Sequence, residues 1–274
     1  RLAYHGKTFT GKTAMNYTSE KGYVIVAFNT PTVNYVECAI TLAKSVKQFH
    51  PDSEICLITN EACGDKIFDY EKVCADRGGF LNDIYAYSES PFHETVKLEA
   101  DMLLTSPFDH WWTYFRNYDV YVSTGCRNYK SEISNERYYR KLIDANRLPD
   151  VYNAITYWRV SPVAKTFFSL VNSLLQNWTS VQEALLYAKN EKPNTDLAYA
   201  VAIDMIGREQ FTGVDGPKIV HMKPRINDIK VDEWQNQLVY EVVQGQIRLN
   251  GYTQNGLLHY QVKKMATEFG KYYE

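Results

Sequence analysis

The sequence predicts an α/β protein with a mixed sheet flanked by helices, arranged as a single domain. Three observations predict it. Two short β-branched and aromatic runs, "GYVIVAF" (22–28) and "SEICLIT" (53–59), read as buried strands. Between them Val33, Val36, Ile40, Ala43 and Val46 recur at helical spacing. Strand, helix and strand in that order imply a right-handed crossover and parallel pairing. A chain of 274 residues is also long enough to bury one full α/β core.

The elements follow in order. Residues 1–20 are polar and rich in Gly and Thr, and they read as a surface-lying arm. After the first strand, Pro31 suits a first helical turn and Thr30 its N-cap. A helix is expected over 65–76, ending at the Gly78-Gly79 turn. "DIYAYS" (83–88), "TVKLEADMLL" (95–104), "YDVYVST" (118–124) and "VYNAITYWRVS" (151–161) read as strands. Val163, Phe167, Leu170 and Leu174 mark a helix, and "PNTDLAYAVAIDMIG" reads as another closed by Gly207. "PKIVHMKP" is a short strand running into a loop, and Leu258, Val262, Met265 and Phe269 line one face of a last helix. The expected organisation is an arm over 1–20, a catalytic-type domain over 21–230 and a strand/helix extension over 231–274.

Composition excludes several classes. The formal net charge is −2, so no global positive field favours nucleic acid. Five scattered cysteines include no CxxC pair and no zinc spacing, which reads as reduced thiols in a cytoplasmic protein. No apolar run approaches the ~18–20 residues that span a bilayer, and none reads as a signal peptide. No membrane partner is expected.

The chemistry gathers at "ETVKLEADMLLTSPFDHWW" (94–112), where Glu99 and Asp101 sit inside an apolar segment. Ionised carboxylates in such a place need a cation, because desolvation costs several kcal/mol or more. Residues i and i+2 of a strand share a face, so the pair suits a hard divalent ion shared with phosphate oxygens. His221, at a strand end beside Lys223, is the candidate third ligand. The carboxyl edge of the first strand, with "NTPT" after Phe28, is where an open α/β sheet places a ligand. Each signal also has a plain reading. The acidic pair suits a salt bridge, His221 suits packing, Asp196 suits the first turn of a helix, and Trp111-Trp112 suits aromatic core.

In this order the motifs resemble those of GT-A-fold glycosyltransferases of the glycogenin-like, nucleotide-sugar-using kind, over residues 22–224. "VIVAFNTPTVNYVECAITLAKSVKQFHPDSEICLIT" resembles the family's opening, and "LEADMLL" falls at its DxD metal motif. "YNAITYWRVS" resembles the segment lining the donor sugar, "NTDLAYA" the aspartate motif near the reacting carbon, and "IVHMKP" the histidine–lysine loop. The resemblance implies a Rossmann-like nucleotide-binding fold and a UDP-sugar donor. It implies a base and ribose site at Ala27, Phe28, Asn29, Thr30 and Tyr35. It implies Mn²⁺ or Mg²⁺ held by Asp101 and His221, with Lys223 on the diphosphate. Glu99 would meet the ribose or the metal, and Asn153 and Asp196 would act catalytically beside the donor sugar or the acceptor.

Three departures stand out: Glu99-Ala100-Asp101 replaces DxD, "HMKP" compresses the histidine–lysine spacing, and Ile155 replaces a glycine. A narrower similarity links "ETVKLEADMLLTSPFDHWW", "GCRNYK" and "LPDVYNAITYWRVS" to glycosyltransferases of large tailed phages. It implies a hydroxymethylcytosine in DNA as acceptor, met by Trp111, Trp112 and Arg127. A saccharide or protein acceptor is the alternative. Other classes are a nucleotidyltransferase, against which "NTPT" argues because it is not a Gly-rich basic loop, and a non-catalytic DNA-binding phage protein.

Overall fold

In the computed structural model the described residues are 17–134, 136, 139–207, 211–212, 216–229, 238–243, 245–260, 262–263 and 265–273. Most of the expected arm, 1–16, lies outside them, as do parts of the 231–274 extension. In chain order the strands are β1 (Ser19–Ala27), β2 (Ile55–Thr59), β3 (Tyr70–Val73), β4 (Phe92–Glu99), β5 (Met102–Leu104), β6 (Val120–Thr124) and β7 (Cys126–Arg127). They continue with β8 (Ile133–Ser134), β9 (Val151–Arg159), β10 (Ile219–His221), β11 (Tyr240–Val243), β12 (Gln246–Leu249), β13 (Tyr252–Thr253) and β14 (Leu257–His259). The α-helices are α1 (Tyr35–Phe49), α2 (Tyr85–Ser88), α3 (Asp109–Phe115), α4 (Arg140–Ala145), α5 (Pro162–Gln176), α6 (Trp178–Ala184), α7 (Thr195–Ile206) and α8 (Met265–Gly270).

The main sheet runs β3-β2-β1-β4-β9-β6. Its first four strands are parallel, and β9 is antiparallel to both β4 and β6. The sheet is mixed, as the sequence predicts. Alternation along β1 sends Tyr23 and Ile25 into one apolar core and Val24 into the other. The first core also takes residues of α1, α3 and α8, and the second takes those of α5 and α7. A second sheet, β5-β14-β10-β7-β8, joins residues far apart in sequence. It carries the C-terminal strand β14 between β5 and β10, in register His221 opposite His259 and His259 opposite Met102.

Several local expectations differ from the structure. The N-cap of α1 is Asn34, whose side chain accepts from the Glu37 N–H at 3.0 Å, while Thr30 is used in a turn bridged to Val33. Residues 65–76 form a turn and then strand β3 rather than a helix. Asp65 accepts from the Ile67 N–H at 2.9 Å, and Asp69 accepts from the Ile55 N–H at 2.9 Å, tying the segment to the sheet edge. "DIYAYS" is a 3₁₀ turn (Gly79–Ile84) followed by α2. There Tyr85 stacks on Phe28 and Tyr87 on Phe168, so ring packing overrides strand propensity. "TVKLEADMLL" breaks at Ala100-Asp101, and its two halves enter different sheets. Leu258 lies in a strand, and only the far end of the expected last helix is helical.

The end of α1 is fastened to the start of α3 by the buried His50. Its Nε2 accepts from the Phe108 N–H at 2.8 Å, and its Nδ1 lies 3.0 Å from the Asp109 carboxylate. Burial lowers the His50 pKa below the ordinary histidine value, against the opposing pull of Asp109. Protonation at Nε2 would remove the acceptor that Phe108 uses. The folded state therefore binds fewer protons than the unfolded chain below a pH of about 6.5, and stability falls as pH drops through that region. Denaturant melts between pH 7.5 and 5 should show this loss in the wild type. His50→Gln should show a flatter pH profile and a uniform cost of about 1–3 kcal/mol, if its amide fails to replace the bond to Phe108.

Candidate active site

A cavity of about 430 Å³ opens at the carboxyl edge of β1 and β4. The β1 end contributes Val26, Phe28, Asn29 and Thr30, and β4 contributes Lys97 and Glu99. Tyr35, Asp101, His221, Lys223, His259 and Lys263 complete that side. The parallel strands aim their carboxyl ends at this edge, which is where α/β sheets hold ligands.

Glu99, Asp101 and His259 offer ligand atoms within 4.8 Å of one another. His259 lies between the carboxylates, with Nδ1 3.3 Å from Glu99 and Nε2 3.1 Å from Asp101. Lys263 forms an ion pair with Asp101, and the Tyr152 hydroxyl hydrogen-bonds His259 Nδ1. The two carboxylates converge because β4 ends at Glu99 and the chain turns before β5, not because they share one pleated strand. The Tyr260 N–H donates to the Asp101 carbonyl at 3.1 Å, which pins that turn to the segment after β14.

The electrostatics separate the two acids. Burial pushes the Glu99 carboxyl above its usual range, with His259 opposing and Asp101 reinforcing the rise. Burial acts in the same direction on Asp101, but His259 and Lys263 together hold it well below the carboxylate range. His259 is itself raised: burial disfavours its cation, and the two carboxylates outweigh that. Asp101 is thus the firmly ionised member of the pair. Two carboxylate oxygens and an imidazole suit a Mn²⁺-like or Mg²⁺-like ion.

His259 is the residue that sequence reading missed, with Lys263 beside it. Leu258, Val262, Met265 and Phe269 follow a helical pattern, so a strand ending in a histidine was hidden inside it. The overlooked signal is "GLLHY", a short apolar run after Gly256, like the one that precedes His221. The structure groups Glu99 and Asp101 with His259 rather than with His221. His221 lies on the neighbouring strand with its ring stacked on His259 at 4.1 Å, and Tyr152 stacks at 5.5 Å from His221. Asn227 donates to the His221 and Lys223 carbonyls at 2.9 and 2.7 Å, fixing the loop that presents Lys223 to the cavity.

The other sequence-derived residues divide. Phe28, Asn29, Thr30 and Tyr35 line the cavity, while Ala27 is buried in the core beneath it. Asn29 is tied by its main chain and side chain to Asn60, Glu61 and Val36. Asn153 is buried, and its N–H donates to Asp196 at 2.8 Å. Trp112 is also buried and donates to the Tyr23 hydroxyl at 3.2 Å. It lines a separate cavity beside Ser19–Tyr23, at the opposite end of β1. Trp111 packs against Phe108 and Phe115 near it. Arg127 sits in the second sheet opposite Val220 and donates to the Ser131 carbonyl at 2.6 Å. Phe80, absent from the sequence reading, lines the cavity with 54% of its surface exposed.

Neither a protein-family model nor a curated protein sequence matches the chain. Solved structures do share its fold, which is that of GT-A glycosyltransferase structures. The galactosyltransferase LgtC, solved with donor and acceptor sugar analogues, aligns with a TM-score of 0.52 at 12% identity, over 92% of this chain and 95% of its own. The bifunctional glycosyltransferase WbbM aligns at 0.53 and 12%, over 98% of this chain and 52% of its own. The apo form of the glycosyltransferase GlyE from Streptococcus pneumoniae TIGR4 aligns at 0.51 and 9%, over 93% and 60%. The chain thus spans about half the length of WbbM and three-fifths of that of GlyE. Among the described residues no helix is long and apolar enough to cross a membrane.

Calorimetric titration with Mn²⁺ checks the ligand set. Asp101→Asn and His259→Ala should each abolish measurable binding. His221→Phe, which preserves the ring stack, should cost less than about tenfold, the lower end of what supporting groups contribute.

Proposed function

We propose that the chain is a metal-dependent glycosyltransferase that takes its sugar from a nucleotide-sugar donor, with UDP as the carrier. The observation that carries this is the meeting of Glu99, Asp101 and His259 at the carboxyl edge of a GT-A-like sheet, in one cavity with the β1 loop. Phe28, Thr30 and Tyr35 are assigned to the base and ribose, and Lys223 and Lys263 to the diphosphate. A Mn²⁺ or Mg²⁺ ion held by Asp101, Glu99 and His259 would neutralise the diphosphate as a Lewis acid. The acceptor hydroxyl oxygen bonds to the anomeric carbon as the bond from that carbon to the phosphate oxygen breaks. The hydroxyl proton passes to the departing phosphate. Asp196, which holds the Asn153 N–H, is assigned to the sugar side of the reacting carbon.

For the acceptor, the reading carried from sequence is a hydroxymethylcytosine in the DNA of a large tailed phage. Its support is the resemblance of three segments and the place of "GCRNYK", whose Tyr129 N–H donates to Asn227, the residue that ties down Lys223. The enzyme would then work in the host cytoplasm. A saccharide or protein acceptor is the second reading, favoured by the exposed ring of Phe80 at the cavity, a surface suited to the apolar face of a sugar.

Release of free nucleotide from a panel of nucleotide sugars, with Mn²⁺, Mg²⁺ or EDTA, tests the first claim. One donor should be hydrolysed only with metal, and Asp101→Ala should lower the rate by about 10²-fold or more. Full activity in EDTA or in that variant would sink the reading. Adding hydroxymethylcytosine duplex, unmodified duplex or simple glycosides to the reaction decides the acceptor. Incorporation of label into the hydroxymethylated duplex alone is the expected outcome, and incorporation into glycosides alone would establish the second reading.

A further inference from the structure

The same cavity is lined by a buried ion pair that the metal and nucleotide assignments do not use. Lys97 of β4 pairs with Asp83 of the 3₁₀ turn Gly79–Ile84, and their side chains are only 4% and 12% exposed. Both line the cavity. Lys97 stands two residues before Glu99, on the same face of β4, so the pair adjoins the proposed metal site. The other oxygen of Asp83 accepts from the Tyr199 hydroxyl at 2.9 Å and from Asn153 Nδ2 at 3.4 Å. Burial first, and then Asp83, keep the Tyr199 phenol protonated far above its usual range, so it stands as a donor.

Stability is a poor reason for such a pair, because an apolar substitute of equal volume is often as stable or more so. Its chemistry suits recognition. Asp83 is held by three donors, Lys97, Tyr199 and Asn153, and lines the cavity with acceptor capacity to spare. Lys97 keeps two N–H donors beyond the one it gives to Asp83. A carboxylate and an ammonium held side by side match two vicinal hydroxyls, one donating and one accepting.

We propose that Asp83 and Lys97 are the specificity-determining residues for the transferred sugar, reading two neighbouring hydroxyls of a neutral aldose. This rests on the nucleotide-sugar reading above. Tyr199 and Asn153 are positioning residues that hold Asp83 in place. A sugar lacking one of the two hydroxyls, or presenting one with the wrong configuration, leaves a desolvated charge facing an unmatched group. Such mismatches give large discrimination.

The test compares affinities for UDP, UDP-glucose, UDP-galactose and UDP-xylose by calorimetry with Mn²⁺, in wild type, Asp83→Asn and Tyr199→Phe. With the pair reading the 3- and 4-hydroxyls, the wild type should bind one of UDP-glucose and UDP-galactose at least tenfold more tightly than the other, its C4 epimer. UDP-xylose, which keeps the 2-, 3- and 4-hydroxyls of glucose, should rank with UDP-glucose. Asp83→Asn should reduce that ratio to below threefold while changing UDP affinity less than threefold. Tyr199→Phe should reduce it partly. Lys97→Met should act like Asp83→Asn, with a thermal melt reporting whether it folds. An unchanged sugar preference in Asp83→Asn would overturn the proposal, and so would a parallel loss of UDP affinity, which would mark the pair as general support for the cavity. Failure of the wild type to bind UDP or any of the three sugar nucleotides would instead overturn the nucleotide-sugar reading itself.

Discussion

Desolvated charge at the end of β4 is the constraint that organises this molecule. Lys97, Glu99 and Asp101 lie within five residues of an otherwise apolar stretch, and none of them can be left unpaired at reasonable cost. The partners come from distant parts of the chain: Asp83 from the 3₁₀ turn, His259 from β14 and Lys263 from the segment after it. Removing one partner from such a set would leave an uncompensated buried charge, worth about 3–5 kcal/mol in comparable cases. The fold must bring those segments together, and the second sheet is how it does so.

That sheet also explains why the C-terminal segment belongs to the site. Read as an extension, residues 231–274 contribute β14 to the middle of the second sheet, between β5 and β10. The same pairing stacks His259 on His221 and sets Tyr152 against both rings. Thr41 donates to the Ala266 carbonyl at 3.0 Å, which binds the start of α8 to α1 under the main sheet. Packing on one face of the sheet and charge pairing at its edge therefore fix the same segment twice.

The cavity combines three kinds of chemistry. Aromatic and amide groups at the β1 loop suit a base, the acid–imidazole cluster suits a metal diphosphate, and the Asp83–Lys97 pair suits hydroxyls. The last two zones share β4, through Glu99 and Lys97, so a change in one is felt in the other. Trp111 and Trp112, attractive in sequence as stacking groups, belong instead to the aromatic packing around Tyr23, Phe108 and Phe115. Their neighbours in sequence, "SPFDH", give no sign of which end of the sheet they reach.

The opening strand–helix–strand, the buried β4 and β9 and the helices α5 and α7 were legible because their apolar periodicity is set by local burial. Asp101 was legible for a related reason: an ionised acid among Leu, Ala and Met announces that something must compensate it. Periodicity misled where local pattern and tertiary pairing compete, at 65–76, at "DIYAYS" and at "GLLHY". A three-residue strand such as β14 has too few side chains to declare a period, and only hydrogen bonding to β5 and β10 makes it one. The choice of His259 over His221 beside the acids, and of Asp83 as the counter-charge of Lys97, came from the same source. Partners for a buried charge are chosen by distance in space, and a sequence carries that distance only through the fold.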